Sequence, residues 1–168
     1  ILNHKAAIEL FLGAWATQYN AYVTILRPSN VYGPGQLPRR GFGIIPTALE
    51  CALNRTPITV WGEDTVRDYL YIDDLCALCL KVLQSSHRIG THIYNASYGN
   101  GIRLTQLLDM IDCVTDHPLQ RLTSAQRRID VLRIVPSNGK AAGTFNWQPT
   151  TSLEDGLRKT WNWFRKHR

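Results

Sequence analysis

The 168 residues predict an α/β fold, and three observations carry the prediction. Apolar, β-branched runs such as "VTIL" and "PITVW" alternate with stretches of helical periodicity, the pattern of strands and helices taken in turn. The strands are short, and long Gly- and Pro-rich segments separate them. That spacing suits a ligand-binding lobe better than a complete doubly wound sheet. Finally, neither G-x-G-x-x-G nor G-x-x-x-x-G-K-[ST] occurs anywhere in the chain. The pairs Gly33/Gly35, Gly41/Gly43 and Gly99/Gly101 do not follow a strand as a dinucleotide-phosphate loop requires.

The elements follow in order. Asn3 is the predicted N-cap of a helix from about His4 to Tyr19. Ile8, Phe11, Leu12, Trp15 and Tyr19 recur at helical spacing, and Ala6, Ala7, Ala14 and Ala16 make the remaining surface small and apolar. A helix apolar nearly all round calls for neighbours on several sides. "AYVTILRP" is a strand, and "SNVYGPGQLPRRGFG" a long loop. "IIPTALECALN" is a helix with Pro46 in its first turn, where the missing N–H costs nothing. "PITVWG" is a strand, "EDTVRD" a polar turn and "YLYI" a strand. A helix then starts at Asp73 or Asp74, one capping it and the other serving as a first-turn acid. "SSHRIGT" turns into the strand "HIYNAS", and "GNG" turns into the helix "LTQLLDMIDCV". "LQRLTSA" is a further strand. "RRIDVLRIVPSNGKAAGTFNWQP" is mostly loop with one short helix. Ser152 caps the last helix, with Asp155 three residues on as in a capping box. Glu154 and Asp155 lie at its positive end, and Arg165, Lys166 and Arg168 at its negative end.

A chain of this length is one domain or part of a larger one. Its 44% hydrophobic content is enough for a packed core. No run is long enough to span a bilayer and no signal peptide is evident, so the expected compartment is the cytoplasm. The net charge is +6, with 14 Arg against 5 Lys. A basic balance suits nucleic acid or a phosphate-bearing ligand. The arginines are scattered, which disfavours nucleic acid, and a guanidinium fork matches two phosphate oxygens. The four cysteines include a lone C-x-x-C, Cys76 and Cys79, inside an apolar helical stretch. With no second pair or neighbouring His, they read as small buried thiols rather than metal ligands.

Three stretches then change the reading: "VTILRPSNVYGPGQ", "PITVWGEDTVRDYLYIDDL" and "FNWQPTTSLEDGLRKTWNWF". In this order and spacing they resemble the C-terminal half of the extended short-chain dehydrogenase/reductases. More narrowly, they resemble the NAD-dependent nucleotide-sugar epimerases and dehydratases of the UDP-glucose 4-epimerase type. The resemblance covers essentially the whole chain. It implies the C-terminal part of an extended Rossmann-type epimerase. Residues 1–36 would be the last Rossmann elements, and residues 37–168 the nucleotide-sugar-binding lobe.

The resemblance also implies roles. The family carries Tyr-x-x-x-Lys on a helix, usually Y-G-x-S-K-x-x-x-E. Lys5 and Glu9 fall on its Lys and Glu, while Ile1 falls on the Tyr and His4 on the Ser. In the family the Lys lowers the Tyr pKa and holds the nicotinamide ribose, and the phenolate takes the sugar hydroxyl proton. Isoleucine has no proton to exchange. Read from residues alone, Lys5 is a solvated lysine at a helix start. Pro28 and Ser29 match a turn whose backbone meets the nicotinamide. Asn30 matches an Asn near the sugar-nucleotide diphosphate, though a Pro/Asn turn is common in any loop. Arg27 anchors the strand end. Ile44 to Thr47, with Ile45 at the centre, correspond to the helix start lining the nucleotide base. Arg67 matches the Arg that grips the diphosphate; the alternative is an ion pair with Asp68 or Glu63. "QRRIDV" resembles an R-x-G-D or R-P-x-D-V loop, in which Arg127 would reach the diphosphate and Asp130 the ribose. The alternative for that pair is a surface salt bridge. Trp147, in "FNWQP", packs.

The family's Gly-rich phosphate loop, most of its sheet and a Ser/Thr that polarises the sugar hydroxyl lie N-terminal to the matched region. The leading expectation is therefore the substrate-binding portion of such an enzyme, using NAD when complete. This chain alone would show no turnover and little NAD binding. The competing expectation is a non-catalytic module of the same descent that binds a nucleotide sugar or RNA. A third is a piece of a longer protein with an ordinary Tyr. Helix 4–19, or the strand "YVTIL", is expected to pair with a second copy.

Overall fold

The structure is a computed structural model that describes residues 2–39, 42–85, 89–124 and 131–167. Its elements are α1 (Leu2–Gln18), β1 (Tyr22–Pro28), β2 (Asn30–Tyr32), α2 (Ile44–Asn54), β3 (Ile58–Trp61), β4 (Val66–Tyr71), α3 (Ile72–Gln84), β5 (Gly90–Ala96), β6 (Gly101–Arg103), α4 (Leu104–Thr115), β7 (Arg121–Ser124), β8 (Arg133–Ile134), α5 (Gly139–Phe145) and α6 (Leu153–His167). Helix and strand alternate, as the sequence pattern predicts.

Helix α1 begins at Leu2, so Asn3 stands inside it and is not its cap. The helix buries only a narrow strip. Ala16 is fully covered and Leu12 and Gly13 are half-buried, while Leu10 and Phe11 are 77% and 68% exposed. Glu9 accepts two hydrogen bonds from Arg27 at the end of β1, which lower its pKa below the usual carboxylate range. Arg27 thus anchors the strand end, as expected.

The described strands form three separate sheets. Strands β1 and β5 pair in parallel, from Tyr22 opposite Gly90 to Pro28 opposite Ala96. This sheet therefore draws on residues from both sides of position 36. Strand β3 pairs in parallel with β7. Strand β4 is the centre of the third sheet. Its first half pairs with β6 antiparallel and β8 parallel, and its second half with β2 parallel.

Two expectations fail here for one reason. The segment Asn30–Tyr32 belongs to β2, not to a loop, and "EDTVRD" is a turn only as far as Thr65. Polar and Pro-flanked residues enter strands because neighbouring strands saturate their backbone groups, which composition does not reveal.

The main core lies among α2, α4, α6, β3 and β4. Ile45, Leu49, Leu107, Leu108, Ile111, Leu157 and Phe164 are wholly buried there. A second cluster of Leu70, Leu78, Val82, Tyr94 and Trp147 ties α3 and α5 to β5. Trp147 packs as expected and donates its indole N–H to the Asp74 carbonyl at 3.1 Å. Neither Asp73 nor Asp74 caps α3, whose N-cap position is Tyr71. The buried Asp74 carboxylate instead accepts the backbone N–H groups of Thr150 (2.9 Å) and Thr151 (3.1 Å) and the Thr150 hydroxyl (3.2 Å). It fixes the approach to α6. There Ser152 caps the helix: its Oγ accepts the Asp155 N–H at 3.1 Å and donates to the Asp155 carboxylate at 2.6 Å.

Cys76 and Cys79 are exposed, as is Cys113, and this corrects the buried-thiol reading. Asp74, Leu78 and Val82 form the buried stripe of α3, and residues 76 and 79 lie off it. Among the described residues no group of three His, Cys, Asp or Glu side chains could hold a metal ion. No described helix is long and apolar enough to cross a membrane.

Candidate functional site

Where β2, β4, β3 and the start of α2 converge, they enclose a cavity of about 490 Å³. Strand alternation aims the side chains. Thr65, just before β4, and Arg67 and Tyr69 on it line the cavity while Asp68 turns the other way; on β3, Thr59 and Trp61 line it while Ile58 and Val60 enter the core. Ser29, Asn30 and Tyr32 come from the end of β1 and from β2. The first turn of α2 contributes Ile44, Ile45, Pro46 and Thr47.

Arg67 is the only charged side chain among the described lining residues. Its Nη1 donates to the carbonyls of Val66 (2.9 Å) and Leu132 (3.4 Å). Among the described residues it forms no ion pair. The alternative pairing with Asp68 or Glu63 is not observed: Asp68 accepts backbone N–H groups and Glu63 accepts the Thr123 hydroxyl at 2.6 Å. A half-buried cation without a counter-ion is a poised anion receptor.

The start of α2 adds to that field. The N–H groups of Ile44 and Ile45 lack helical partners, its first turn carries no acid, and the helix dipole places partial positive charge there. Gly43 before it has φ 75°, and an added Cβ would stand 2.9 Å from Pro46 Cγ. Only glycine lets the chain enter the helix at that angle.

Asn30 donates from its side-chain amide to the Asp68 carbonyl at 2.8 Å, which leaves its amide oxygen free of intramolecular bonds among the described residues. The Ser29 hydroxyl is buried and has no hydrogen-bond partner among the described residues. Burial pushes the Tyr69 phenol up to about 12, against the pull of the neighbouring Arg67 charge, so it remains a neutral donor. Burial also raises Tyr32.

The family's sequence profile, described as the NAD dependent epimerase/dehydratase family, matches residues 3–97. The chain belongs to this family. The family's solved structures share its fold. A UDP-glucose 4-epimerase from Thermotoga maritima, solved with UDP-glucose, is 30% identical with a TM-score of 0.90, covering 96% of this chain and 52% of that one. The UDP-glucose 4-epimerase of Thermus thermophilus, in complex with NAD, is 28% identical with a TM-score of 0.89, covering 98% and 53%. Among curated proteins, the dTDP-glucose 4,6-dehydratase of Salmonella typhimurium is 27% identical over 169 residues, 95% of this chain and 45% of that protein. The chain thus spans about half the length of these family members.

Among the residues singled out from the sequence, Ser29, Asn30, Ile45 and Arg67 come together around one cavity. Lys5 is exposed on α1 and Pro28 is exposed at the end of β1, both outside that lining. Arg127, Asp130 and Ile1 lie outside the described residues. Sequence reading missed Thr59, Trp61, Tyr69 and Phe42. Alternation would have found Tyr69 beside Arg67, had "TVRDYLY" been read as one strand; Phe42, in a loop, carries no such signal.

Proposed function

We propose that this chain is the nucleotide-sugar-binding portion of an NAD-dependent epimerase or dehydratase. The observation that carries this is Arg67: a guanidinium with no ion-pair partner among the described residues, in a cavity whose other described lining groups are neutral and which the first turn of α2 also lines. A nucleoside diphosphate supplies the missing charge. Arg67 and Asn30 take the diphosphate, and the first turn of α2 around Ile45 takes the base. Residues 1–36 would face the cofactor and residues 37–168 the sugar nucleotide, apart from β5, which pairs with β1, and the segment around Asn30, which lines the sugar-nucleotide cavity.

The nicotinamide end of NAD finds fitting groups here. The orphaned Ser29 hydroxyl offers one donor and acceptor, Pro28 shapes the turn, and Lys5 offers a cation on α1. NAD when bound would accept hydride from the sugar. No Gly-rich phosphate loop is present in these 168 residues, so the chain by itself holds NAD weakly and does not turn over. In the family pattern the Lys acts on a Tyr phenol, and the matching position here carries Ile1.

Calorimetry with UDP and UDP-glucose tests the reading. The expected result is saturable binding that changes little with salt. No binding of either would overturn it. Affinity for single-stranded RNA that falls steeply with salt, without UDP binding, would transfer the function to nucleic acid.

The apolar face of α1 carries a second expectation. Ile8, Phe11 and Trp15 are exposed, and their burial between copies would remove a large apolar patch from water. Sedimentation should show an oligomer that Phe11→Glu dissociates. A clean monomer at high concentration would refute it.

A further inference from the structure

Strand β4 changes partners at Asp68. Before it, Val66 and Arg67 lie between β6 and β8; Asp68 is still paired with Gly101 of β6 but has passed the end of β8; after it, Tyr69 to Tyr71 pair with β2. A strand that leaves one ladder for another exposes backbone groups at the junction. Asp68 closes that junction in two ways. Its carbonyl accepts the Asn30 side-chain amide at 2.8 Å. Its wholly buried carboxylate accepts three successive backbone N–H groups, from Tyr98 (2.9 Å), Gly99 (2.7 Å) and Asn100 (3.1 Å).

That turn is itself fixed to the sheet. It continues β5, whose last residue, Ala96, accepts the Ser29 N–H at 2.9 Å. Asn138 holds it from outside by donating to the Ser97 carbonyl at 2.9 Å. A chain of bonds therefore runs from the β1–β5 sheet through Asp68 to Asn30 and, one residue along β4, to Arg67.

We infer that Asp68 is a positioning residue for diphosphate capture, holding Arg67 and Asn30 in register with the sheet. This rests on the nucleotide-diphosphate reading above. Asp68 turns away from the cavity and is not among its lining residues. The groups assigned to the base, in the first turn of α2, belong to another element. Loosening the junction displaces the phosphate-facing groups and leaves the base-facing ones in place.

UDP and uridine, which differ only in the diphosphate, separate the two by calorimetry. Asp68→Asn keeps the shape but replaces an acceptor oxygen with a donor that faces the turn's N–H groups. UDP binding should weaken about tenfold, equivalent to ~1.4 kcal/mol, while uridine stays within about twofold. Asn138→Ala should act in the same direction, by about threefold, and carries the test if Asp68→Asn does not fold. Asp112→Asn is the control. Asp112 anchors the Leu119 N–H at 2.8 Å and Arg121, none of which lines the cavity or bonds to the β4 junction, so its loss should destabilise the chain and leave the UDP-to-uridine ratio unchanged. Equal weakening of UDP and uridine would mean general loosening and would overturn the inference. Unchanged UDP binding in the folded variants would overturn it while leaving the nucleotide reading intact. A wild-type chain that binds no UDP would sink both.

Discussion

Arg67→Ala should weaken UDP binding by about 10- to 100-fold, the range of one or two charge-assisted hydrogen bonds lost without compensation. The loss should fall on the diphosphate and spare uridine, because no other charged side chain among the described residues lines the cavity. Stability should barely change. Arg67 is half-buried, donates only to two carbonyls and balances no described carboxylate, so its removal strands no opposite charge. Arg67→Lys should recover part of the affinity, since an ammonium supplies the charge but not the two-pronged geometry. Calorimetry and a thermal melt on the same samples decide it. Undiminished UDP affinity in Arg67→Ala would remove the basis for the proposed site.

Gly156→Ala should destabilise the chain by about 1–3 kcal/mol, the usual cost of overpacking a core. Helix propensity alone points the other way. Gly156 lies within α6, where alanine is normally better by about 1 kcal/mol. Tertiary packing reverses the sign: a Cβ there would stand 2.1 Å from Tyr32 Oη and 2.8 Å from Cζ. Tyr32 cannot swing aside easily. It is 3% exposed, its hydroxyl donates to the Leu153 carbonyl at 3.3 Å, and its ring meets Tyr69 and Tyr71 edge-on. Because Tyr32 also walls the cavity, the melting temperature and UDP affinity should fall together. Tyr32→Phe in the same chain should restore only part of the stability, since Cζ and Cε2 would remain within 3.0 Å. A melting temperature at or above wild type in Gly156→Ala would show that propensity wins.

The two variants mark where sequence reasoning ran well and where it stopped. Helix α2 was legible to the residue, because "IIPTALECALN" has helical periodicity and Pro46 sits where a first turn tolerates it. The cap at Ser152 was equally plain. Arg67 could be singled out through the resemblance of "TVRDYLYIDD", yet its strand was read as a turn. Its conformation depends on β2, β6 and β8, which approach it from distant parts of the chain. The exposure of Cys76 and Cys79 was hidden for a similar reason: an apolar helix reads as buried all round until its neighbours are known.

What the sequence determined by itself was the alternation of elements, the α/β class, the Ser152 cap set by local hydrogen bonding and the motifs that carry the family resemblance. These depend on residues within a few positions of one another. Only the tertiary structure decided that Ser29, Asn30, Ile45 and Arg67 share one cavity, that Arg67 has no described counter-ion and that Asp68 turns to the loop after β5. It also decided that Asp74 holds the approach to α6 rather than capping its own helix. Those facts rest on pairings between residues roughly 30 to 80 positions apart, which chain-local propensities do not encode.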